Sequence, residues 1–252
     1  MSATPHDHAL ARRLAERAGA LLLELRRGLD GDGDPSRIKQ EGDRRSHELL
    51  MAELAAAHPQ DGILSEEGAD DQRRNSLRRV WIVDPLDGTR EFGERGRDDW
   101  AVHVALAIDG RPVAGAVALP ARSLTLGTMP AAEVRPREAG PLRVAVSRTR
   151  PPEIATRIAG QLDATLVPMG SAGAKVAAVI LGEVDAYLHA GGQWEWDSAA
   201  PVAVALAAGL HASRIDGAPL RYNQPKPWLP DLLVCRPEIA PRLLAAARRD
   251  LR

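Results

Sequence analysis

Hydrophobic residues recur at helical spacing in two stretches near the start of the chain. In residues 10–27 the leucines and alanines fall on one face and the arginines on the other, which predicts an amphipathic helix. A second helix is predicted for residues 44–57, where a His-Pro pair ends the pattern. Between the two helices, residues 30–35 are predicted to form a solvated acidic turn.

Short apolar runs follow, and each predicts a strand. Residues 63–68 are predicted as a brief strand that leads into a pair of glutamates. Residues 80–83, Val-Trp-Ile-Val, predict a buried strand that ends at Asp84 and Pro85, because proline cannot donate to the ladder. Further strands are predicted at residues 101–108, 111–120 and 124–128, with a hairpin turn at Asp109 and Gly110.

The pattern changes beyond residue 130. Residues 131–141 combine two prolines and a glycine with charged residues, which predicts a linker. Strands and helices alternate after it, which predicts a layered α/β architecture. We expect two tightly joined halves, 1–130 and 142–252, with the functional site between them. The predicted strands cover residues 142–147, 164–167, 186–189 and 232–235, and the predicted helices cover 152–162, 174–181, 198–208 and 241–249.

The composition excludes several classes of function. The chain has 252 residues, enough for a substantial core, and a formal charge of −1, which argues against a basic nucleic-acid-binding surface. Its single cysteine, Cys235, excludes an intrachain disulfide framework and indicates a reducing compartment. No stretch has the character of a signal peptide or a membrane span. We therefore expect a cytoplasmic protein with neither a membrane nor a nucleic-acid partner.

The candidate chemistry is concentrated in the turn after residues 80–83. Residues 84–89 are Asp-Pro-Leu-Asp-Gly-Thr, in which Asp84 and Asp87 supply two carboxylates and Gly88 allows the positive φ of a tight turn. Carboxylates, free carbonyls and the Thr89 hydroxyl suit a hard cation better than Zn²⁺. An ordinary acidic turn has a similar composition, so this segment alone leaves both interpretations open.

The same hexapeptide resembles the D-P-[IL]-D-G-T signature of the Mg²⁺-dependent, Li⁺-sensitive phosphatase family typified by inositol monophosphatase. Its continuation, Arg-Glu-Phe at residues 90–92, resembles the CysQ-type branch, which hydrolyses 3′-phosphoadenosine 5′-phosphate. The resemblance covers the chain from about residue 10 to the C-terminus. It implies the αβαβα sandwich shared with fructose-1,6-bisphosphatase, which agrees with the alternation of elements.

The resemblance also implies a set of metal ligands. Glu66 matches the family's metal-bridging glutamate, and Asp197 matches the aspartate of its W-D-x-A-A motif. Asp84, Asp87 and the backbone carbonyl of Leu86 complete the set, which would hold two or three Mg²⁺ ions. Metal ions in such a site neutralise phosphate charge and lower the pKa of a bound water. Asp197 also precedes a predicted helix, so a capping role is open beside the metal role.

Asp43 and Thr89 match the family's pair of an acid and a hydroxyl that activates the attacking water. The approach to Asp43 departs from the family pattern, because Gln-Glu-Gly at residues 40–42 replaces the usual P-V-T. Since Asp43 stands directly before the second predicted helix, a helix N-cap is its alternative role.

Substrate contacts are expected around residues 170–175, Gly-Ser-Ala-Gly-Ala-Lys, which open a predicted helix and can present backbone N–H groups to an anion. This segment resembles the turn that holds the 5′-phosphate in nucleotide-processing members, which implies Ser171 and Lys175 as ligands. Gly88 and Thr89 are implied as substrate contacts near the metals. A solvated helix position is the alternative for Lys175.

Trp194 and Trp196 flank the Asp197 segment, and two roles are open for them. They either stack on an adenine or fill the rim of the site.

The expected activity is Mg²⁺-dependent hydrolysis of adenosine 3′,5′-bisphosphate to AMP and phosphate, extended to 3′-phosphoadenylyl sulfate, in sulfur assimilation. Inositol 1-phosphate or fructose 1,6-bisphosphate is the alternative substrate for the same chemistry. A metal-binding regulatory protein without catalysis is the rival class. The presence of Asp43 and Thr89 argues against it, since metal binding needs neither. A homodimer acting on a small phosphorylated nucleotide is the expected assembly.

Overall fold

The computed structural model of the protein describes residues 2–30 and 34–250. Residues 31–33, the middle of the predicted acidic turn, lie outside the described residues. The described α-helices are α1 (Pro5–Arg26), α2 (Pro35–Ala57), α3 (Thr89–Phe92), α4 (Glu153–Leu162), α5 (Ala172–Ile180), α6 (Glu195–Ala207) and α7 (Ala240–Asp250). The described strands are β1 (Gly62–Ser65), β2 (Arg79–Asp87), β3 (Ala101–Ile108), β4 (Arg111–Leu119), β5 (Leu124–Gly127), β6 (Arg143–Ser147), β7 (Thr165–Met169), β8 (Ala186–Trp194), β9 (His211–Ser213) and β10 (Trp228–Cys235).

The second helix begins well before the predicted residue 44. Asp34 caps it by accepting a hydrogen bond from the backbone N–H of Ser36 at 2.9 Å, and a proline follows in its first turn. Gly42 does not end the helix; a Cβ there would lie 3.0 Å from Cε1 of Phe92, so the glycine permits close packing. Asp43 therefore lies inside α2, and its alternative assignment as an N-cap is wrong.

The first sheet has the strand order β1-β2-β3-β4-β5. β1 runs parallel to β2, and the remaining neighbours are antiparallel. The predicted end of β2 at Asp84 and Pro85 is wrong, since the strand continues to Asp87. A register shift between Asp84 and Asp87 forms an irregularity opposite β3, and such a bulge accommodates a proline that cannot join the ladder.

The second sheet has the order β7-β6-β8-β10-β9. β6 is parallel to both of its neighbours, whereas β10 is antiparallel to β8 and β9. β8 extends to Trp194 and β10 begins at Trp228, so both strands are longer at one end than predicted. Gly191 and Gly192 in β8 and Pro230 in β10 interrupt the apolar runs near these ends, which hid the strand signal.

The helices form three layers around the two sheets. α1 and α2 pack their leucines against one face of the first sheet, around Trp81 and Val104. α5 and α6 lie between the sheets and contribute to a core shared with Val117 and Leu232. α4 and α7 cover the outer face of the second sheet. The layer order is helix, sheet, helix, sheet, helix, which confirms the predicted αβαβα sandwich.

The inter-sheet helices come from the second half of the chain but pack on strands of the first half. α6 contacts β4, β3 and β2, so its N-terminus is carried to the end of β2. The division into halves at 1–130 and 142–252 stays a prediction. Among the described residues, none of the helices combines the length and hydrophobicity that crossing a bilayer requires.

Candidate active site

The parallel pairing of β1 and β2 brings two predicted ligands together. Ser65 stands opposite Val83 in the register, so Glu66, which follows β1, and Asp84, within β2, lie side by side. Burial raises the pKa of Asp84, and the two carboxyl groups are close enough for the charge of Glu66 to help raise it. Asp84 also accepts a hydrogen bond from the backbone N–H of Leu86 at 3.0 Å, which fixes the turn after the strand.

Asp87, at the end of β2, is buried and held by donors from other elements. Its Oδ2 accepts hydrogen bonds from the Ser171 hydroxyl and, at 2.9 Å, from the backbone N–H of Gly173. Nε2 of His103 lies 3.1 Å from the same oxygen. Burial alone would raise the pKa of Asp87, but His103, Lys175 and Ser171 together lower it. This carboxylate is therefore held as an anion.

Asp197 lies in the first turn of α6, and its side chain has the predicted capping role. Its Oδ2 accepts a hydrogen bond of 2.6 Å from the backbone N–H of Trp194, which caps the helix. Carboxylate oxygens of Asp84, Asp87 and Asp197 also lie within 4.8 Å of one another. Two elements that are distant in sequence, β2 and α6, thus place a compact set of oxygen donors at one point.

Crowding of these carboxylates raises several of their pKa values. Burial, followed by the charges of Glu66, Asp87 and Asp197, raises the pKa of Asp84 well above its usual range. Burial and the charge of Asp87 raise the pKa of Asp197 to about 7. Glu66 reaches solvent, yet the surrounding protein and the charge of Asp87 raise its pKa to about 7 as well. Proximity of the carboxyl groups thus disfavours ionisation of all of them at once.

Asp43 and Thr89 meet at the edge of this cluster. The Thr89 hydroxyl lies 3.3 Å from Oδ1 of Asp43 and 3.0 Å from the carbonyl oxygen of Leu86. Burial and the charge of Glu67 raise the pKa of Asp43 to about 7. Asp43 lines a neighbouring pocket, and Thr89 lines both that pocket and the main cavity. The pair therefore touches the cavity through Thr89.

The main cavity has a volume of about 480 Å³ and opens beside the carboxylates. Its acidic side chains include Glu66, Asp87 and Asp197. Cationic side chains and exposed indoles line it as well, and they come from α3, α5, β8, β10 and the turn after β6: Arg90, Arg148, Arg150, Lys175, Trp194 and Trp228. The cavity thus combines oxygen donors for cations with positive charge and apolar surface for a substrate.

Comparison with known proteins agrees with this arrangement. The profile of the inositol monophosphatase family matches residues 6–251. The chain belongs to the inositol monophosphatase family. Curated relatives include a 3′-phosphoadenosine 5′-phosphate phosphatase of Mycobacterium leprae, 53% identical over 96% of this chain and 93% of the relative. A protein of the same name from Mycobacterium bovis is 55% identical over 91% of this chain and 88% of the relative.

A solved member of the inositol monophosphatase family shares the fold. The crystal structure of CysQ from Bacteroides thetaiotaomicron superimposes with a TM-score of 0.75 at 27% identity, covering 92% of this chain and 97% of that one. The family resemblance inferred from residues 84–92 is therefore confirmed.

The turn at residues 170–175, which was predicted to hold the 5′-phosphate, has a different organisation from the one expected. The Ser171 hydroxyl donates to Asp87 and accepts from the backbone N–H of Ala174 at 3.0 Å, so it caps α5. Lys175 is buried rather than solvated, and its ammonium donates to the carbonyl oxygens of Gly170 at 2.9 Å and Met169 at 3.5 Å. Burial lowers its pKa, while Asp87 and Glu91 oppose that effect.

Sequence reasoning missed His103, which is fully buried behind the ligand cluster. Its Nδ1 lies 3.2 Å from the carbonyl oxygen of Trp196, and its Nε2 faces Asp87. A Cβ at position 173 would lie 2.2 Å from this Nε2, so Gly173 makes room for the ring. The available signal was a single polar residue inside the apolar run Ala101–Ile108.

Arg148 was also missed, because it follows β6 in a stretch without a family motif. Its guanidinium forms hydrogen bonds with Glu91 at 2.7 Å and with Glu94 at 2.8 Å, which raise its pKa. Glu91 is buried and Arg148 half-buried, so this contact ties α3 to the second sheet beside the cavity.

Proposed function

We propose that this protein is a Mg²⁺-dependent phosphatase that removes the 3′-phosphate of adenosine 3′,5′-bisphosphate and releases AMP and phosphate. The observation that carries the proposal is the meeting of Asp84, Asp87 and Asp197 within 4.8 Å, in a family of phosphatases. Relatives of more than half identity that bear the name 3′-phosphoadenosine 5′-phosphate phosphatase support this substrate.

The donor set fits Mg²⁺, a hard cation that prefers oxygen ligands. Asp84, Asp87, Asp197, Glu66 and the carbonyl of Leu86 are the proposed ligands of two or three ions. Raised pKa values at Asp84 and Asp197 support this assignment, since positive charge is what would relieve their crowding. When bound, the metal supplies charge neutralisation at the phosphate and a bound water of lowered pKa.

Asp43 and Thr89 are the proposed pair that handles the proton of the attacking water. The Thr89 hydroxyl has one proton and two acceptors within reach, Asp43 and the carbonyl of Leu86. If the Leu86 carbonyl held a metal ion, it would compete less well for that proton, and Thr89 would donate to Asp43. The Thr89 oxygen is thereby free to accept a hydrogen bond from a water and to pass its proton toward Asp43.

Ser171 supports the site through Asp87 rather than through substrate. Its only proton is donated to Asp87, and a phosphate oxygen needs a donor that Ser171 no longer has. Lys175 retains the proposed role at the second phosphate, because an ammonium has three N–H bonds and two are used by carbonyls. Gly88 and Thr89 line the cavity beside the ligand cluster and are proposed substrate contacts.

Four basic side chains at the cavity favour a substrate with two phosphates over inositol 1-phosphate. They are Arg90, Arg148, Arg150 and Lys175. Arg148 is occupied by Glu91 and Glu94, whereas Arg150 is exposed toward solvent. We extend the proposal to 3′-phosphoadenylyl sulfate and to a role in sulfur assimilation, since both nucleotides share the 3′-phosphate. Fructose 1,6-bisphosphate remains the alternative that this charge also suits.

Phosphate release with Mg²⁺ from adenosine 3′,5′-bisphosphate, inositol 1-phosphate and fructose 1,6-bisphosphate tests the function. We expect kcat/KM to be highest for the nucleotide by at least tenfold, which corresponds to about 1.4 kcal/mol. A sugar phosphate as the best substrate would move the assignment to the alternative. No turnover of any of the three would favour the rival class, a metal-binding regulator.

We also propose a cytoplasmic homodimer. The single cysteine, Cys235, is buried and free, which agrees with a reducing compartment. Light scattering coupled to size-exclusion chromatography measures the assembly, and a mass near 27 kDa would contradict the dimer.

A further inference from the structure

Two large indole side chains are exposed at the active-site cavity. Trp194 and Trp228 each keep 39% of their surface accessible, and both line the cavity that holds the carboxylate cluster. Exposed tryptophan at such a site is costly unless something covers it, because its apolar area is large. Metal and phosphate chemistry provides no reason for this apolar surface.

The two indoles come from neighbouring strands and are held in a defined orientation. Trp228 is the register partner of Trp194 across the β8–β10 pairing. Their ring centroids lie 5.1 Å apart at an interplanar angle of 79°, an edge-to-face contact. Trp196 stacks on Trp194, with centroids 5.2 Å apart and an angle of 12°. The cluster is therefore built before any ligand arrives.

Gly192 makes this arrangement sterically accessible. Its φ is +88°, and a Cβ at this position would lie 1.7 Å from Cζ2 of Trp228. Any side chain at position 192 would therefore displace the Trp228 ring from its place at the cavity. The absence of a side chain at position 192 therefore allows the Trp228 indole to remain exposed to the cavity.

We propose that Trp228 and Trp194 form the surface on which the adenine base of the substrate stacks. This inference deepens the proposed function and rests on it. A planar purine matches an exposed indole, whereas inositol and fructose present hydroxyl-covered rings that gain little there. Because the indoles are already oriented, stacking requires little ordering of side chains. Trp196 packs against Trp194 and does not line the cavity, so it supports the stacking surface without contacting the base.

The decisive comparison changes only the base. Adenosine 3′,5′-bisphosphate and 1,4-anhydroribitol 3,5-bisphosphate share both phosphates and the five-membered ring, but the second lacks adenine. For the wild-type enzyme we expect KM for the abasic compound to be roughly 5- to 150-fold higher, the scale of stacking of one base on one aromatic side chain. Equal KM values would overturn the proposal without any variant.

Variants then locate the effect. Trp228→Ala should raise KM for the nucleotide by the same factor with little change in kcat, and it should leave the abasic compound unaffected. Trp228→Phe should retain most of the affinity, and Gly192→Ala should resemble Trp228→Ala. Leu206→Ala, at an exposed apolar residue of α6 that does not line this cavity, is the matched control.

Equal losses on both compounds for Trp228→Ala would make the indole structural and overturn the proposal. Full retention of nucleotide KM in that variant would overturn it as well. Failure of the proposed function has a different signature: the wild-type enzyme would then prefer a sugar phosphate to adenosine 3′,5′-bisphosphate before any substitution is made.

Discussion

The hydroxyl of Ser171 donates a hydrogen bond to Oδ2 of Asp87, although 84 residues separate the two. The same oxygen of Ser171 accepts from the N–H of Ala174, so the cap of α5 is also the support of a proposed metal ligand. A helix between the two sheets thereby fixes the orientation of a carboxylate at the end of the first sheet. Loss of this contact should affect metal binding before it affects substrate binding.

Ser171→Ala should raise the Mg²⁺ concentration needed for half-maximal activity by roughly tenfold or more. A hydrogen bond to a charged group contributes about 1.5–3 kcal/mol, and its removal leaves Asp87 less well held. The measurement is activity against Mg²⁺ concentration at saturating nucleotide. Ser76→Ala, at an exposed position away from the cavity, is the control. An increase in nucleotide KM with unchanged Mg²⁺ dependence would restore Ser171 as a substrate ligand.

Activity should require Mg²⁺, disappear in EDTA and fall in millimolar Li⁺. The carboxylate oxygens of Asp84, Asp87 and Asp197 lie within 4.8 Å of one another. Without cations, their negative charge would repel a phosphate dianion. Phosphate release in each condition is the measurement. Undiminished turnover in excess EDTA would remove the whole ligand assignment.

In the absence of Mg²⁺, Glu66→Gln should raise the melting temperature relative to the wild type, and the gain should grow as pH rises. The pKa of Glu66 is raised to about 7 in the folded protein. Between about pH 4.3 and pH 7 the unfolded state releases this proton while the folded state keeps it. The free energy of unfolding of the wild type therefore falls as pH rises through this range. Calorimetry at pH 5 and pH 8 measures the difference.

Asp87→Asn should have the opposite sign in the same experiment. Its pKa is lowered, because His103, Lys175 and Ser171 favour the anion despite burial. A lowered pKa contributes stability that is present above the unfolded value of about 3.9, and the variant lacks it at pH 8. Both variants should lose turnover with Mg²⁺. A higher melting temperature for Asp87→Asn would contradict the assigned electrostatics.

Asp43→Asn and Thr89→Ala should each lower kcat by roughly 10²- to 10⁴-fold with modest changes in KM, the usual scale for lost general-base assistance. The double variant should be little worse than either single one, because the two groups act as a unit. Steady-state kinetics of all three variants provide the test. Glu48→Gln, on the exposed side of α2, is the control. If the losses in kcat of the two single variants multiply in the double variant, the two residues have separate roles.

Lys175→Met should raise KM for adenosine 3′,5′-bisphosphate by roughly ten- to hundredfold, since a charge-assisted hydrogen bond is lost in ground state and transition state alike. Methionine fills the buried space of the lysine stem and limits a packing defect. Inositol 1-phosphate has no second phosphate, so its kinetics should scarcely change. Equal losses on both substrates would make Lys175 a structural residue.

The local sequence pattern correctly predicted the features that depend on a few neighbouring residues. Residues 84–89 place two carboxylates beside a positive-φ glycine, and Gly88 has a φ of +86°. β3 agrees with its prediction at both ends because an unbroken apolar run between turns permits few alternatives. The start of α2 was missed because Gly42 resembles a helix breaker, whereas its packing against Phe92 is visible only in three dimensions.

The sequence by itself determined the family, the layered architecture and the acidic residues at the ends of β1 and β2 and in the first turn of α6. Only the tertiary structure decided their partners. Packing of α5 and α6 between the sheets brings Ser171 and Asp197 to Asp87, and the pairing of β2 with β3 places His103 beside it. The β8–β10 register brings Trp228 to Trp194. Local propensity acts over a few residues, whereas these contacts join segments far apart in the chain. Burial of the apolar faces of helices and sheets sets the relative positions of those segments. This burial does not depend on how far apart the segments lie in the sequence.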